Sequence, residues 1–187
     1  MNSYRLKKFK ESIFLVGFMA TGKSSIGKIL AQELERPFID LDEYIVEKES
    51  MSISTMFNEY GEEYFREKEW FYLLELTQNF KGIISLGGGA LHNQQVVDHL
   101  KLYGLLVFLK TPLNVILERV SRNKKRPMVL NGEGEIKSRD VLFSEMESLY
   151  LQRVDLYNQA QVILESTGEE SKDEQAARLI DKLQRYV

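Results

Sequence analysis

The sequence IFLVGFMATGKSS, residues 13–25, decides the fold of this chain. A short apolar, β-prone run leads into Gly17, and apolar residues at helical spacing follow from Ile26 onward. Between them, residues 17–24 match the pattern G-x-x-x-x-G-K-[ST], which forms a phosphate-binding loop when it lies between a strand and a helix. Its backbone N–H groups make an anion-binding nest at the positive end of the helix. The stretch therefore predicts nucleotide binding.

Each residue type in the loop has an expected role. The lysine is expected to reach the β- and γ-phosphates, and the serine that follows it is expected to ligate Mg²⁺. The predicted nucleotide contacts of the loop are Gly17, Ala20, Thr21, Gly22, Lys23, Ser24 and Ser25. A GTPase is not predicted, because Asn123-Lys124-Lys125 lacks the aspartate of a guanine-reading motif and lies in a basic loop.

Strands and helices are predicted to alternate beyond the loop. Short β-prone runs recur along the chain, and stretches with helical periodicity separate them, at residues 38–41, 82–86, 105–109 and 162–164. Gly61 is expected to interrupt the helix-rich stretch 43–80. This alternation predicts an α/β fold with a parallel sheet that helices cover on both faces. Ligands of such sheets bind beyond the carboxyl ends of the strands.

Composition excludes several classes of protein. The chain has 187 residues, which suits one domain, and its 25 Lys and Arg against 28 Asp and Glu give a net charge of −3. The absence of cysteine excludes a disulfide framework, a thiolate metal site and a cysteine nucleophile. The apolar runs are far shorter than the ~20 residues of a membrane helix, and no signal-peptide cleavage site is visible. We expect a cytoplasmic protein without a membrane or nucleic-acid partner.

Two carboxylates follow the second predicted strand. Asp40 and Asp42 flank Leu41, and strand alternation would place both on one face of an extended segment. One could then hold Mg²⁺, directly or through water, while the other accepts a proton from an attacking hydroxyl. A solvated turn or a helix cap before Glu43 explains the same residues.

An arginine and a glycine triplet are the next candidates. Arg66 lies in the helical motif Phe65-Arg66-x-x-Glu69, where it either serves a ligand or pairs with a neighbouring glutamate on the surface. Gly87-Gly88-Gly89 follows the third predicted strand. The triplet indicates close approach of the backbone to a ligand, or else a strand-to-helix turn.

A basic cluster precedes a polar loop. Five basic residues fall within eight positions of this acidic chain, namely Arg119, Arg122, Lys124, Lys125 and Arg126. A solvated face or a nucleic-acid site would give the same pattern, but no aromatic residues are interleaved. We therefore favour ATP binding. The charged, glycine-containing stretch 122–137 is predicted to be a mobile lid.

These motifs together resemble the shikimate kinase family. The resemblance rests on GFMATGKSS, FIDLDEYI, FREKE, SLGGG, KRPMV and RVDLY, in that order, across residues 12–164. It implies a three-layer P-loop kinase fold with a five-stranded parallel sheet. It also implies one domain over residues 1–187, with a substrate-binding helical region at about 43–80 and a lid at about 122–137. The implied reaction is phosphorylation of the 3-hydroxyl of shikimate by MgATP.

The resemblance also implies roles for single residues. In the family pattern, the second aspartate of the D-x-D contacts shikimate hydroxyls, two arginines hold its carboxylate, and the glycine triplet lines its pocket. A lid arginine reaches over the phosphates, and another stacks on adenine. In this chain the aspartate is Asp42, the carboxylate-binding arginines are Arg66 and Arg153, and the triplet is Gly87, Gly88 and Gly89. The lid arginine is Arg126, and the arginine that stacks on adenine is Arg119. The implied catalytic residues are Asp42, Lys23 and Arg126, and the implied metal-site residues are Ser24 and Asp40. The resemblance also implies a monomer that binds ATP and shikimate.

One departure from the family pattern concerns the phosphate loop, and two other functions stay open. Ala20 replaces a usual glycine, which requires a backbone angle that alanine accepts. A related P-loop kinase acting on a sugar acid or a nucleoside monophosphate would share the loop and the lid. A binding module with an inactive kinase fold would not need Lys23, Ser24, Asp42 and Arg126 together.

Overall fold

Five strands form the sheet in this computed structural model, which describes residues 6, 9–122, 127–130 and 135–186. They run over Ser12–Val16 (β1), Phe38–Asp40 (β2), Ile83–Ser85 (β3), Gly104–Lys110 (β4) and Val162–Glu165 (β5). Every pairing is parallel and the spatial order is β2-β3-β1-β4-β5. The predicted parallel sheet is therefore confirmed, with the strand that leads into the phosphate loop at its centre.

Seven helices connect and cover these strands in the part of the chain that the structure describes. They run over Lys23–Leu34 (α1), Leu41–Glu49 (α2), Ile53–Asn79 (α3), Gln94–Tyr103 (α4), Leu113–Ser121 (α5), Arg139–Tyr157 (α6) and Lys172–Leu183 (α7). Gly61 interrupts α3 with φ 85° and ψ 170°, as the sequence predicts. A 3₁₀ turn covers Pro127–Val129.

The central strand divides the core into two halves. Phe14 and Val16 belong to an apolar cluster that also holds residues of α2, α3 and α4, whereas Ile13 and Leu15 belong to a second cluster with α1 and α7. All five residues of β1 are buried, as expected for a strand whose two faces both meet helices. This three-layer packing confirms the predicted α/β class.

The stretch after β2 differs from its prediction. Asp42 does not lie on an extended segment, because α2 already begins at Leu41. Asp40 ends the strand and caps the helix, and its carboxylate accepts a hydrogen bond from the Asp42 N–H over 3.1 Å. Acidic residues in a first helical turn interact favourably with the helix dipole, so this start is well supported. Asp40 is thus a helix cap, and this role occupies only one of its two carboxylate oxygens.

The predicted lid is only partly described. Arg126 lies outside the described residues, as do residues 123–125 and 131–134. Of the remainder, Leu130 and Ile136 form an isolated antiparallel bridge, and Val129 is buried in the core. Within the described ranges, none of the helices combines the length and the apolar character that crossing a bilayer requires.

Candidate active site

The phosphate loop curls around its own lysine. Lys23 Nζ donates hydrogen bonds of 2.9 Å to the carbonyls of Gly17 and Phe18, and Thr21 Oγ1 donates to the Phe18 carbonyl over 3.0 Å. Gly22 precedes α1 with φ 99°, a left-handed conformation that favours glycine. The loop therefore has the form of a nest at a helix N-terminus, which suits a phosphate group.

Ala20 takes a left-handed conformation within this loop. Its φ is 57°, and its carbonyl accepts a hydrogen bond of 3.1 Å from Arg119 on α5. The sequence requirement at this position is thus met by a backbone angle that alanine accepts at a small cost. Ala20, Gly22, Lys23, Ser24, Ser25, Arg119 and Lys172 line one cleft of about 340 Å³.

A hydroxyl and a carboxylate, both of which are hard oxygen ligands for a metal ion, meet beside the phosphate loop. Ser24 Oγ donates a hydrogen bond of 2.5 Å to Asp40 Oδ2, while the other oxygen of Asp40 caps α2. The cap thereby fixes Asp40 against the first turn of α1. Hydroxyl and carboxylate oxygens are ligands that Mg²⁺ accepts, so this pair fits the predicted metal position.

The glycine triplet forms a wall against the acidic groups. A β-carbon on Gly87 would lie 2.6 Å from Asp42 Oδ1 and 3.0 Å from Glu69 Oε1. A β-carbon on Gly89 would lie 2.5 Å from an Arg66 nitrogen. Side chains at these positions would displace the groups that face them, which is why the wall is built from backbone alone.

Glu69 is a buried acid that the sequence analysis did not assign to the site. Only 2% of its side chain is exposed, and it accepts a hydrogen bond of 2.7 Å from Arg66 Nη1. Its Oε1 and Asp42 Oδ1 are both buried and accept no hydrogen bond from any described residue. A buried acceptor without a donor costs about 1–3 kcal/mol, so both oxygens favour a ligand with hydroxyl groups.

Arg66 has an exchangeable partner on its exposed edge. Its Nε and Nη2 donate to Glu62 Oε1 over 3.2 and 3.0 Å, and the Glu62 side chain is 62% exposed. An exposed ion pair of this kind contributes about 0–1 kcal/mol. A ligand carboxylate can therefore replace Glu62, while the buried Glu69 keeps the guanidinium in position.

Arg153 reaches the same wall from α6. Its Nη1 donates a hydrogen bond of 3.0 Å to the Gly88 carbonyl, which also accepts one from the Tyr157 hydroxyl. Arg66, Gly89 and Arg153 line a cleft of about 170 Å³. Two guanidinium groups thus face one small space beside the glycine triplet.

Burial and neighbouring carboxylates raise the pKa of both acids of the site. Burial, together with the nearby Glu69 and Asp40 carboxylates, raises the pKa of Asp42 to about 6, although Lys23 and Arg66 oppose the rise. Burial also raises the pKa of Glu69, against the attraction of Arg66 and Arg153. Asp42 therefore has a pKa suited to accepting a proton near neutral pH.

The structure brings together most residues that the sequence singled out. Five of the seven predicted loop residues line one cleft with Arg119, whereas Gly17 and Thr21 form hydrogen bonds within the loop. Asp40 meets Ser24, and Asp42, Arg66, the glycine triplet and Arg153 meet at the carboxyl edge of the sheet. Two further charged residues belong here, Glu69 and Lys172. Glu69 had a visible signal, because it lies on the apolar stripe of α3, four residues after Phe65 and four before Leu73.

Comparison with known proteins gives a consistent result. The family model described as "Shikimate kinase" matches residues 19–184. The shikimate kinase of Chloroherpeton thalassium is 37% identical over 151 residues, which cover 81% of each chain. The solved structure of the Bacteroides thetaiotaomicron shikimate kinase aligns with a TM-score of 0.85 and 33% identity, covering 94% of this chain and 99% of that one.

A second solved structure carries a ligand. The Acinetobacter baumannii shikimate kinase, solved in complex with shikimate, aligns with a TM-score of 0.82 and 28% identity over 97% of both chains. Family match, sequence identity and fold agree over nearly the whole length. This chain therefore belongs to the shikimate kinase family.

Proposed function

We propose that this chain transfers the γ-phosphoryl group of ATP to the 3-hydroxyl of shikimate. The observation that carries the proposal concerns two buried oxygens, one of Asp42 and one of Glu69, that accept no hydrogen bond from any described residue. They lie beside the guanidinium groups of Arg66 and Arg153. Shikimate has a carboxylate and several hydroxyls. Its hydroxyls would supply the missing donors, and its carboxylate suits the planar fork of arginine.

The chain's residues divide the chemistry between them. Asp42 orients the acceptor hydroxyl and takes its proton as the oxygen attacks the γ-phosphorus. The new O–P bond forms as the bond to the β-phosphate oxygen breaks, and ADP leaves with that electron pair. Lys23 provides positive charge at the loop, and we assign the same role to Arg126 from the resemblance alone. Arg66 and Arg153 hold the carboxylate against the wall formed by Gly87, Gly88 and Gly89.

The nucleotide side of the proposal follows from the loop. We assign ATP binding to Gly17, Ala20, Thr21, Gly22, Lys23, Ser24, Ser25, Arg119 and Arg126. Ser24 and Asp40 would hold Mg²⁺, with Asp40 acting through water. The ion would supply charge neutralisation on the phosphates. The contact between Ser24 Oγ and Asp40 Oδ2 supports this pairing.

The substrate assignment is tested by measuring ADP release with MgATP and a panel of acceptors. We expect turnover with shikimate, and little or none with gluconate or nucleoside monophosphates. Quinate is the closest control, because it keeps the carboxylate and changes the ring around it. Turnover with gluconate or a nucleoside monophosphate that exceeds the shikimate rate would favour the alternative kinases. Absence of turnover with every acceptor would favour an inactive module.

The pKa of Asp42 gives an expected pH dependence. The residue must be ionised to accept a proton, and its pKa is raised to about 6. We therefore expect kcat/KM for shikimate, measured at saturating MgATP, to fall as the pH drops through about 6. ADP affinity over the same range serves as the control, because Asp42 lies on the acceptor side. A profile that stays flat down to pH 5 would contradict a proton-accepting role for Asp42.

The only tryptophan should report binding of the acceptor. Trp70 follows Arg66 by one helical turn and lines a cleft of about 240 Å³ with Arg66 and His92. His92 and Arg66 also border the 170 Å³ cleft at Gly89. We expect shikimate to change Trp70 fluorescence in a saturable way, because it alters the surroundings of Arg66.

Two variants control this titration. Trp70→Phe should abolish the fluorescence change and leave turnover intact. Arg66→Ala should shift the midpoint to a concentration about tenfold or more higher, in line with the loss of a charged hydrogen bond. A protein that binds shikimate by calorimetry without any fluorescence change would place Trp70 outside the influence of the site.

We also propose that the enzyme works as a monomer with one domain and a closing lid, in the cytoplasm. The chain lacks cysteine, which fits a reducing compartment. Analytical ultracentrifugation with and without substrates tests the oligomeric state.

A further inference from the structure

Lys172 is a half-buried lysine that lines the nucleotide cleft. It is the first residue of α7, directly after the N-cap Ser171. Its Nζ is buried and has no hydrogen-bond acceptor among the described residues. A β-carbon on Gly22 would lie 2.6 Å from this nitrogen, so the ammonium lies against the phosphate loop. A buried ammonium nitrogen without an acceptor is energetically unfavourable.

The surroundings of Lys172 are unfavourable to a cation. The first turn of a helix carries partial positive charge, which disfavours a lysine there. Burial and the nearby Arg119 guanidinium lower the pKa of Lys172, and Glu170 only partly opposes them. Glu170 is itself bonded to Arg178 over 2.6 Å, and Glu174 accepts a hydrogen bond from the Ser171 N–H. Lys172 therefore has no ion-pair partner among the described acids.

The loop lysine, Lys23, and Lys172 of α7 have different surroundings. Lys23 is among the cations that oppose the raised pKa of Asp42, so its charge acts on the acceptor side as well as in the cleft that it lines. Lys172 instead interacts with Arg119, whose Nη1 donates to the Ala20 carbonyl at the outer side of the loop. A phosphate held between Lys172 and the start of α1 would therefore lie on the side of the loop away from Asp42, and it would not be the one that is transferred.

We propose that Lys172 binds a phosphate of the nucleotide that remains on ADP, the α- or β-phosphate. The inference rests on the proposed use of ATP and adds a residue that neither the loop motif nor the family resemblance assigned. An anion there satisfies the ammonium and offsets its repulsion from Arg119 and from the helix end. Lys172 would then contribute equally to ATP and ADP affinity and little to the transfer itself.

The test compares Lys172→Met, which keeps the aliphatic stem, with Lys172→Arg, which keeps the charge. Lys182 lies near the other end of α7, so Lys182→Met is a matched control. By calorimetry, we expect Lys172→Met to weaken ADP and ATP binding by a similar factor of about ten, and Lys172→Arg to retain most of the affinity. At saturating substrates kcat should change by less than about threefold. ADP affinity should also depend less on salt concentration in Lys172→Met.

Thermal unfolding separates binding from a structural role. Without nucleotide, Lys172→Met should melt at the same temperature or higher, because it removes an unpaired buried charge. A lower melting temperature with unchanged ADP affinity would overturn the inference in favour of packing. A fall in kcat with unchanged ADP affinity would overturn it as well.

Different results would contradict the proposed function and the role of Lys172. Wild-type protein that binds neither ATP nor ADP would remove the function and the inference together. Wild-type protein that binds and uses ATP, alongside a Lys172→Met variant of equal affinity, would remove only the inference.

Discussion

Asp42→Asn should lower kcat by about 10²–10⁴, the usual contribution of a positioned proton acceptor. The amide cannot take the proton of the attacking hydroxyl, although it has nearly the same shape as the carboxylate. ADP affinity should stay within a few-fold of wild type, because Asp42 is not among the residues that line the nucleotide cleft. Steady-state kinetics and calorimetry measure the two quantities. Glu43→Gln, an exposed change in the same turn of α2, should leave both unaffected.

The same variant, Asp42→Asn, should be more stable than wild type at pH 8. The pKa of Asp42 is raised from 3.8 to about 6, so between these two pH values the folded state holds a proton that the unfolded chain has released. At pH 8 the carboxylate is ionised in both states, and only the folded state buries its charge. The contribution of Asp42 to stability is therefore greatest at low pH and is lost as the pH rises through about 6. The amide of the variant cannot ionise, and its advantage should shrink as the pH falls through the same window. A variant that is both inactive and less stable at pH 8 would contradict this account.

Arg66→Ala should damage both affinity and stability. We expect the dissociation constant for shikimate to rise about 10–100-fold, which corresponds to the roughly 1.5–3 kcal/mol of a charge-assisted hydrogen bond. The substitution also leaves the Glu69 carboxylate, 2% exposed, without its ion-pair partner. Breaking a buried pair in this way costs about 3–5 kcal/mol. Titration calorimetry and urea unfolding measure the two losses.

A double variant separates the two effects. Arg66→Ala with Glu69→Gln removes the unpaired charge, so much of the lost stability should return while the affinity for shikimate stays low. If affinity returned with stability, Arg66 would act only by keeping α3 folded. Unchanged shikimate affinity in the single variant would take Arg66 out of the site.

Local sequence patterns predicted the parts of the fold that depend on local interactions. The phosphate loop, the five strands and the interruption at Gly61 follow from glycine positions and apolar spacing, and the structure confirms them. The error at Asp42 has a local cause as well. The D-x-D spacing predicts strand alternation, whereas Asp40 is a strong N-cap and acids follow it in the first turn of α2.

The unassigned residues depend on packing that a single sequence does not specify. Glu69 becomes a site residue because α3 lies against the glycine triplet, which determines what its buried oxygens face. Lys172 is separated from Gly22 by 150 positions in the chain, and only the return of α7 to the central loop brings them together. A charged residue on an apolar stripe was a usable signal for Glu69. The chain offered no comparable signal for Lys172.

Ala20 affects the unfolded chain as well as the folded loop. A β-carbon in the left-handed region costs about 1–2 kcal/mol in the native state. An alanine also has fewer conformations than a glycine when the chain is unfolded, so less conformational entropy is lost on folding. This difference offsets about 0.4–1 kcal/mol of the native-state cost. The net cost of the substitution is therefore small. The folded loop also samples fewer backbone conformations before a nucleotide arrives, so less conformational entropy is lost when one binds.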